Sequence, residues 1–447
     1  MSLEATELSK PPFVEKADVC VIGMGYVGLT LAVSLAQEGL RVIGYEVKPE
    51  VCDGLNRGQP HFFEKGISEA LGQNLGSSLA FVMELPSTLP RTVVICVGTP
   101  LHEGTKEPDL RQIEAASAAI AERLTPDTLV ILRSTVPVGT SRNVVLPLLC
   151  QRISEPLLAF CPERTIQGKA LEELRSLPQI IGGLNEVSAQ RAKALFEKIA
   201  PHIIMVSSLE AAEMVKLICN AHTDLIYGYG NEVALMAETL GLDAYELINA
   251  ANLDYPRPDL SKPGFVGGGC LSKDPYLLIH SAQSRGHYPS MVAAARCLNE
   301  SLPIWVGERV LAALQELGSD IAHAKILITG FAYKGQPETD DMRGSPATPV
   351  LNFYRNRVQT VVGHDFIVPA AQIARLGIEP VDLALGFEGA DAVLVLNNHV
   401  QYQCQDIQAL LARMKRPGIL FDAWGVFQDQ LRYHSESSLK YLRLGYA

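Results

Sequence analysis

The chain alternates short, continuous apolar runs with helical patterns, which constrains its fold more than any other feature. In the first third, such runs cover residues 17–23, 41–46, 92–98 and 128–135. Further strand-like runs follow at 157–163, 178–183 and 202–208. Continuous apolar runs are typical of strands buried on both faces of a parallel sheet. The alternation therefore predicts a doubly wound α/β domain.

The middle of the chain has a different period. Residues 209–241 carry apolar side chains at a spacing of three to four, which predicts one long helix that forms a spine and a dimer surface. From residue 324 the α/β alternation restarts, with strand-like runs at 324–335, 360–365, 390–399 and 418–424. We therefore predict two α/β domains joined by a central helical region.

Composition excludes several classes of protein. A chain of 447 residues is long enough for two or three domains, and its net charge of −11 argues against a nucleic-acid partner. No apolar run approaches the roughly 18 residues of a membrane span, and the N-terminus lacks the pattern of a signal peptide. We therefore expect a cytoplasmic protein without a membrane partner.

The nine cysteines show no spacing typical of a metal site. An odd number without C-x-x-C pairs indicates reduced thiols, so we expect no metal and no disulfide framework. Cys20, Cys96, Cys161 and Cys219 lie inside apolar runs and are expected in the core. Cys270 has glycine and polar neighbours and does not fit that interpretation.

The stretch "VIGMGYVG" places Gly23, Gly25 and Gly28 in G-x-G-x-x-G spacing between a strand and a helix. Such glycines allow a tight turn and close approach of the backbone to a pyrophosphate at the helix N-terminus. Glu46 ends the next strand, where a carboxylate can bind both ribose hydroxyls and repel a 2′-phosphate. The pattern favours NAD as cofactor over a glycine turn without a ligand.

Several polar residues lie where apolar strands end or on one helical face. Thr135 and Glu163 end two strands of the first domain, at the edge where such sheets bind ligands. Lys216 and Asn220 are four residues apart and share one face of the long helix. Taken singly, Thr135 reads as a cap, Glu163 as a surface acid and Lys216 as a solvated helix position.

Two stretches of the second half also contain candidate functional residues. In "GFVGGGCLSKDP", Cys270 follows three glycines, which form either a flexible linker or a backbone close to a substrate. Near the predicted sheet edge of the last domain, Lys334 and Arg343 suit a phosphate-bearing ligand. Solvated surface charge is the alternative interpretation of these two cations.

The chain resembles the UDP-glucose/GDP-mannose dehydrogenase family of NAD-dependent nucleotide-sugar 6-dehydrogenases, over nearly its whole length. The resemblance rests on "VIGMGYVGL", "ICVGTP", "RSTVPVGTS", "CPERTIQGKALEEL", "AAEMVKLICN", "GGGCLSKDP" and "GFAYKG…TDDMRGSP", in the family's order. It implies two Rossmann-like doubly wound domains joined by a central helical region. The expected boundaries are 1–206 for the NAD domain, 207–318 for the dimerisation region and 319–447 for the nucleotide-sugar domain.

The resemblance also implies a reaction, the four-electron oxidation of the C6 alcohol of a nucleotide sugar to a uronic acid through a thiohemiacetal and a thioester. It makes Cys270 the nucleophile, Lys216 the oxyanion stabiliser and Glu163 the base in thioester hydrolysis. Asp274 and Thr135 would position the proton-relay water. The implied catalytic set is Cys270, Lys216, Asp274, Glu163, Thr135 and Asn220.

The same resemblance implies the binding residues. The cofactor set is Gly23, Gly25, Tyr26, Val27, Gly28, Glu46, Gly98, Thr99 and Thr135. The substrate set is Glu163, Lys216, Asn220, Arg257, Phe265, Gly267, Gly268, Lys334 and Arg343. In the family, the residue matching Arg257 reaches the sugar in the neighbouring subunit, so we expect a homodimer with shared active sites.

The sequence departs from the family at three places. Trp424 stands where many members have an arginine that contacts the sugar nucleotide, and the segment between Lys334 and Arg343 is two residues longer. "CPER" with "ALEEL" resembles the UDP-N-acetylhexosamine branch, whereas Gly269 replaces that branch's histidine and looks closer to the UDP-glucose branch. A one-step alcohol or hydroxyacid dehydrogenase and an inactive nucleotide-sugar-binding regulator are the alternative functions.

Overall fold

The computed structural model describes residues 13–431 and 438–446. These residues form two compact units, and each is described separately. Unit 1 comprises residues up to 218 and residues 276–286, whereas unit 2 comprises residues 219–275 and those from 287 onward. Within the described ranges, no helix is both long enough and apolar enough to cross a membrane.

Unit 1 contains an eight-stranded sheet in the order β3-β2-β1-β4-β5-β6-β7-β8. Neighbouring strands are parallel except β6 and β7, which pair antiparallel, so the direction of the sheet reverses there. The strands are β1 Val19–Ile22, β2 Val42–Tyr45, β3 Leu79–Val82, β4 Thr92–Ile95, β5 Leu129–Leu132, β6 Leu157–Phe160, β7 Gln179–Gly183 and β8 Ile203–Val206.

Helices cover both faces of this sheet. Val19 and Val21 of β1 belong to one apolar cluster, and Cys20 and Ile22 belong to a second cluster. Because successive strand residues point to opposite faces, two cores explain why the strands read as continuous apolar runs. The helices are α1 Tyr26–Gln37, α2 Pro49–Asn56, α3 Ile67–Asn74, α4 Arg111–Ala121, α5 Leu146–Cys150, α6 Ala170–Ser176 and α7 Glu186–Phe196, with a 3₁₀ turn at Val14–Lys16 and a π turn at Ser141–Val145.

The predicted long helix is present as α8, Leu209–Thr239. Its residues up to 218 belong to unit 1 and the rest to unit 2. The expectation that Cys219 lies in the core is wrong, because this residue is exposed on α8, whereas Cys20, Cys96 and Cys161 are buried. The helices that follow are α9 Ala244–Asn252, α10 Gly268–Leu271, α11 Asp274–Gln283 and α12 Ser290–Glu316.

Unit 2 contains a six-stranded sheet in the order β11-β10-β9-β12-β13-β14, with all neighbours parallel. Its strands are β9 Lys325–Thr329, β10 Thr360–His364, β11 Glu379–Pro380, β12 Ala392–Val395, β13 Gly418–Asp422 and β14 Leu439–Arg443. Its further helices are α13 Ala347–Tyr354, α14 Ala370–Ala374, α15 Leu383–Phe387, α16 Val400–Gln403, α17 Ile407–Leu411 and α18 Gln428–Leu431, with a 3₁₀ turn at Ile321–His323.

Two sheets of this kind, together with α8, confirm the predicted fold class. In unit 1, the strands β1, β4, β5 and β6 run parallel, so their carboxyl ends meet at one edge. The residues that follow these four strands include the glycine turn and most of the predicted polar site residues of unit 1.

Candidate active site

The glycine turn follows β1 and opens α1 in unit 1. Gly23 has a φ of 88°, a left-handed conformation that favours glycine. A Cβ at Gly28 would lie 1.9 Å from the carbonyl oxygen of Gly23, so only glycine allows the helix to approach the turn. Gly25 is the N-cap of α1 and has no side chain over the first helical N–H groups. The turn therefore fits the pyrophosphate of a dinucleotide.

Glu46 is fixed beside this turn. One carboxylate oxygen accepts the backbone N–H of Met24 at 3.0 Å, and the other accepts that of Lys48 at 3.0 Å. The residue is 9% exposed, at the end of β2 where an acid can bind ribose hydroxyls. Tyr26 and Val27 are half-buried in the first turn of α1. These positions fit the predicted cofactor set.

The ends of β4 and β5 are tied together by side-chain hydrogen bonds. The hydroxyl of Thr99 donates to the carbonyl oxygen of Thr135 at 2.5 Å. The hydroxyl of Ser134 donates to the carbonyl oxygen of Val97 at 2.7 Å. Thr99 is buried, Thr135 is half-buried and Gly98 is exposed. The structure thus brings the predicted residues of these two loops to one sheet edge.

Glu163 is held by a buried arginine that sequence reasoning missed. The guanidinium of Arg133 donates to one carboxylate oxygen of Glu163, to Oε1 of Gln179 at 2.9 Å and to the carbonyl oxygen of Cys161 at 3.0 Å. Arg133 is 1% exposed. The sequence contains a signal for such a buried ion pair, because Arg133 is a charged residue inside the apolar run "TLVILRST".

This environment keeps Glu163 ionised. Burial acts to raise its pKa, but the charge of Arg133, the backbone N–H of Thr165 and the charge of Lys216 outweigh burial. The pKa of Glu163 therefore lies below its ordinary value, and the side chain is a carboxylate at neutral pH. Glu163 and Lys216 are both 6% exposed, which excludes the surface-acid and solvated-lysine interpretations.

Cys270 lies in unit 2, on the short helix α10, and is exposed. Asp274, four residues later, is fully buried. Its carboxylate accepts the side-chain amide of Asn220 at 2.5 Å and pairs with the ammonium of Lys273 at 3.2 Å. The side chain of Lys273 is therefore largely buried beside Asp274.

The glycines before Cys270 are required by contacts inside unit 2. A Cβ at Gly267 would lie 2.2 Å from the carbonyl oxygen of Gly344. Gly268 has a φ of 89°, and a Cβ there would lie 2.7 Å from the ring of Tyr333. The segment is therefore packed against the loop after β9, which excludes a flexible linker.

Gly269 makes room for the side chain of Arg343. A Cβ at Gly269 would lie 2.9 Å from Cζ of that guanidinium. Arg343 is exposed and forms a bidentate ion pair with Asp341, with Nη2 at 2.7 Å from Oδ2. The ammonium of Lys334 lies 5.4 Å from the centre of the Tyr333 ring. Arg343 therefore lies against the segment that carries Cys270, and Lys334 lies near the tyrosine ring that packs on Gly268.

The other predicted substrate residues differ in exposure. Phe265 is 5% exposed, and its side chain belongs to the apolar core of unit 2. Arg257 is exposed, and its guanidinium donates to the hydroxyl of Tyr255 at 2.6 Å.

Trp424 has contacts of its own inside unit 2. Its indole N–H donates to the carbonyl oxygen of Leu396 at 3.0 Å. A Cβ at Gly264 would lie 2.4 Å from Cη2 of the indole, so the ring lies directly against the backbone at the start of residues 264–271, which we call the Cys270 segment. The tryptophan therefore supports this segment rather than supplying the positive charge of an arginine.

Comparison with known proteins gives three family models in order along the chain. The NAD binding domain of the UDP-glucose/GDP-mannose dehydrogenase family matches residues 17–200. The central domain of that family matches residues 210–301, and its UDP binding domain matches residues 327–429. Together these models cover more than half of the chain.

Several proteins of similar sequence are nucleotide-sugar dehydrogenases. UDP-N-acetyl-D-mannosamine dehydrogenase of Pyrococcus horikoshii is 32% identical over 424 residues, which is 92% of this chain and 96% of the relative. NDP-N-acetyl-D-galactosaminuronic acid dehydrogenase of Ralstonia nicotianae is 30% identical over 409 residues, which is 89% of this chain and 94% of the relative.

Solved structures of nucleotide-sugar dehydrogenases have a fold similar to that of this chain. A UDP-D-ManNAc dehydrogenase from Pyrococcus horikoshii matches with a TM-score of 0.86 and 31% identity, covering 96% of this chain and 99% of that one. A UDP-glucose dehydrogenase from Pyrobaculum islandicum matches with a TM-score of 0.83 and 27% identity, covering 96% and 98%. The comparisons confirm NAD as the cofactor, which the glycine turn and Glu46 predicted.

Proposed function

The chain belongs to the UDP-glucose/GDP-mannose dehydrogenase family and is an NAD-dependent nucleotide-sugar dehydrogenase, and on this premise we propose its reaction in detail. It oxidises the C6 alcohol of a nucleotide sugar to the carboxylate, with Cys270 as the covalent nucleophile. The observation that carries this proposal is the match to all three domains of the family in one chain.

The reaction divides a four-electron oxidation into two hydride transfers. A base first takes the proton of the C6 hydroxyl while hydride leaves C6, which gives an aldehyde. The Cys270 thiolate adds to the aldehyde carbon and forms a thiohemiacetal. Loss of its hydroxyl proton and a second hydride gives a thioester, and water then releases the carboxylate and the thiol. When bound, NAD accepts one hydride in each oxidation.

The proposed roles follow the chemistry of each side chain. Glu163 is ionised and can take a proton from the water that attacks the thioester. Lys216 supplies the positive charge that stabilises oxyanions. Asp274 is fixed by Asn220 and, with Thr135, positions the water that carries protons.

For the substrate we propose a UDP-N-acetylhexosamine, with UDP-N-acetyl-D-mannosamine first among candidates. Its support is the name shared by several relatives about 30% identical to this chain. UDP-glucose is the second candidate, because Gly269 replaces the histidine of the UDP-N-acetylhexosamine branch and a UDP-glucose dehydrogenase is also a structural neighbour.

We further propose a homodimer in which Arg257 contacts the substrate of the partner. Its support is the exposure of Arg257 and of several large apolar residues on α8 and in the stretch after it, including Tyr229, Met236 and Leu253. A cytoplasmic location is also proposed, because all nine cysteines are thiols, as is usual in reducing compartments.

NADH stoichiometry tests the covalent mechanism. Purified protein is assayed with UDP-N-acetylmannosamine, UDP-N-acetylglucosamine, UDP-glucose, GDP-mannose and dTDP-glucose, and the preferred sugar should yield two NADH per acid formed. Cys270→Ser should abolish acid formation, whereas Cys404→Ser removes an exposed cysteine of the same unit and should keep it.

Three results would contradict the proposal. One NADH per sugar, or full turnover by Cys270→Ser, would instead support a one-step dehydrogenase. Calorimetric binding of NAD and a nucleotide sugar without any NADH absorbance would support an inactive binding protein.

A further inference from the structure

A buried polar cluster in unit 2 has no place in the mechanism above. Asp224 and Asn231 lie on α8, and Arg296 and Asn299 lie on α12. All four residues are at most 2% exposed. We call this set the buried network. Polar groups are rarely buried without a structural or functional reason, because desolvation must be offset by hydrogen bonds.

One end of the buried network holds the start of the Cys270 segment. The side-chain oxygen of Asn231 accepts the backbone N–H of Gly264 at 2.8 Å, and its amide donates to the carbonyl oxygen of Gly264 at 2.9 Å. Both backbone groups of one residue are therefore bound by one side chain. The same amide nitrogen also donates to Oδ1 of Asn299 at 2.9 Å.

The other end holds the residue that follows Cys270. The amide of Asn299 donates to Oδ1 of Asp224 at 2.9 Å, and the same oxygen accepts Nη1 of Arg296 at 2.7 Å. Nη1 of Arg296 also donates to the carbonyl oxygen of Leu271 at 2.8 Å. Burial acts to raise the pKa of Asp224, and the charge of Arg296 opposes this effect.

We propose that Asp224, Asn231, Arg296 and Asn299 are positioning residues that fix Cys270 by holding the backbone on both sides of it. The bonded positions are Gly264 and Leu271, six residues before and one residue after the nucleophile. The inference rests on the proposed function, because it assigns the network a role through Cys270.

Two hydrogen-bonded ends leave the short segment between them little freedom. The thiol is exposed, so its own side chain is not fixed by burial. Its position therefore depends on the backbone, and a displacement of about 1 Å at a reacting group can lower a rate by about 100-fold. Removing Asn231 would leave the buried N–H and carbonyl of Gly264 without these partners and would release one end.

The test compares Asn231→Ala with Tyr354→Phe. The hydroxyl of buried Tyr354 donates to the carbonyl oxygen of Gly307 at 2.9 Å, so this control also removes a buried hydrogen bond of unit 2, but outside the Cys270 segment. Amide hydrogen exchange of residues 264–271 is measured by mass spectrometry, and kcat and KM are measured for the preferred nucleotide sugar.

In Asn231→Ala we expect exchange of this segment to become at least about 10-fold faster, and kcat to fall by about 10- to 100-fold. KM for NAD should change by less than about 3-fold, because the cofactor turn is made of unit 1 residues. In Tyr354→Phe, neither the exchange of 264–271 nor kcat should change, even if the melting temperature falls.

Equal exchange and equal kcat in the two variants would overturn the proposal and leave the network a purely structural role. If Asn231→Ala does not fold, Arg296→Lys provides the second variant. It retains the positive charge beside Asp224 but, with a single ammonium, should hold Leu271 less firmly, and the same two readouts apply. Hydrogen exchange requires no turnover, so failure of the covalent mechanism in Cys270→Ser and failure of this proposal are distinguishable.

Discussion

Replacing Arg133 by methionine tests whether the buried pair keeps Glu163 ionised. Methionine fills much of the volume of arginine without its charge, so the carboxylate of Glu163 remains buried without its main partner. Removing one partner of a buried ion pair costs about 3–5 kcal/mol of unfolding free energy. Arg133 is 1% exposed and its guanidinium donates to four acceptors, so we expect a loss within that range near pH 7.5.

The loss should depend on pH, with a sign set by Glu163. In the wild-type chain the pKa of Glu163 is lowered, so its ionised form contributes stability above the ordinary value of about 4.3, and this is lost as pH falls through the folded pKa. In Arg133→Met, burial is expected to dominate and raise that pKa. The ionised form then destabilises the fold at neutral pH, and the difference between the two proteins should shrink towards pH 4.

The double variant Arg133→Met/Glu163→Gln separates charge from packing. Because it has no buried charge, its loss should be only about 1–3 kcal/mol, the cost of unpaired neutral acceptors. Arg41→Met is the matched surface control. It breaks the ion pair between Arg41 and Asp18, whose side chains are 43% and 37% exposed, respectively. The unfolding free energy should fall by only about 0–1 kcal/mol.

Hydrogen exchange of the amides in β5 and β6, followed in urea by mass spectrometry, measures the opening free energy of this part of unit 1. A whole-chain melting curve is less suitable, because two units need not unfold together. Equal losses of opening free energy in Arg133→Met and the double variant at pH 7.5 would contradict this prediction. A loss in Arg133→Met that stays the same between pH 7.5 and pH 4 would also contradict it.

Three further substitutions address other contacts. Glu46→Ala removes the acid beside the glycine turn, so the ratio of kcat/KM for NAD over NADP should fall by about 10- to 100-fold in steady-state assays, as expected for a charged hydrogen bond. Gly264→Ala places a Cβ 2.4 Å from the ring of Trp424, so the opening free energy of unit 2, measured by hydrogen exchange in urea, should fall by about 1–3 kcal/mol. Adding Trp424→Leu should partly relieve this loss. Glu213→Ala removes a buried carboxylate that accepts a hydrogen bond from the backbone N–H of Gly139 at 2.5 Å. The unfolding free energy of unit 1, measured in urea, should fall by about 1–3 kcal/mol, and it should fall less in Glu213→Gln.

Much of the fold could be predicted because burial on both faces leaves a clear pattern in the sequence. The long helix was expected over 209–241 and is observed over Leu209–Thr239. Each predicted strand contains an observed one but extends past it into turn and loop residues. Three strands were missed, since these short stretches carry too little pattern to separate strand from loop: β3 Leu79–Val82, β11 Glu379–Pro380 and β14 Leu439–Arg443.

The candidate site was less predictable, because its partners are distant in sequence. Glu163 and Arg133 are 30 residues apart and meet only when β5 and β6 pair. Gly264 and Asn231 are 33 residues apart, and their hydrogen bonds depend on how α8 lies against the Cys270 segment. Residue types and spacing indicated candidate side chains, whereas the ionisation of Glu163 and the support of the Cys270 segment became visible only in the three-dimensional contacts.

The close contact between Gly267 and Gly344 has a consequence for engineering substrate preference. The Cys270 segment and the loop bearing Lys334 and Arg343 touch backbone to backbone, and each glycine leaves no space for a side chain. A loop transferred from a relative would therefore have to be transferred together with the glycine segment that packs against it. In this chain, a change in the loop bearing Lys334 and Arg343 therefore requires a compatible change in the segment that carries Cys270.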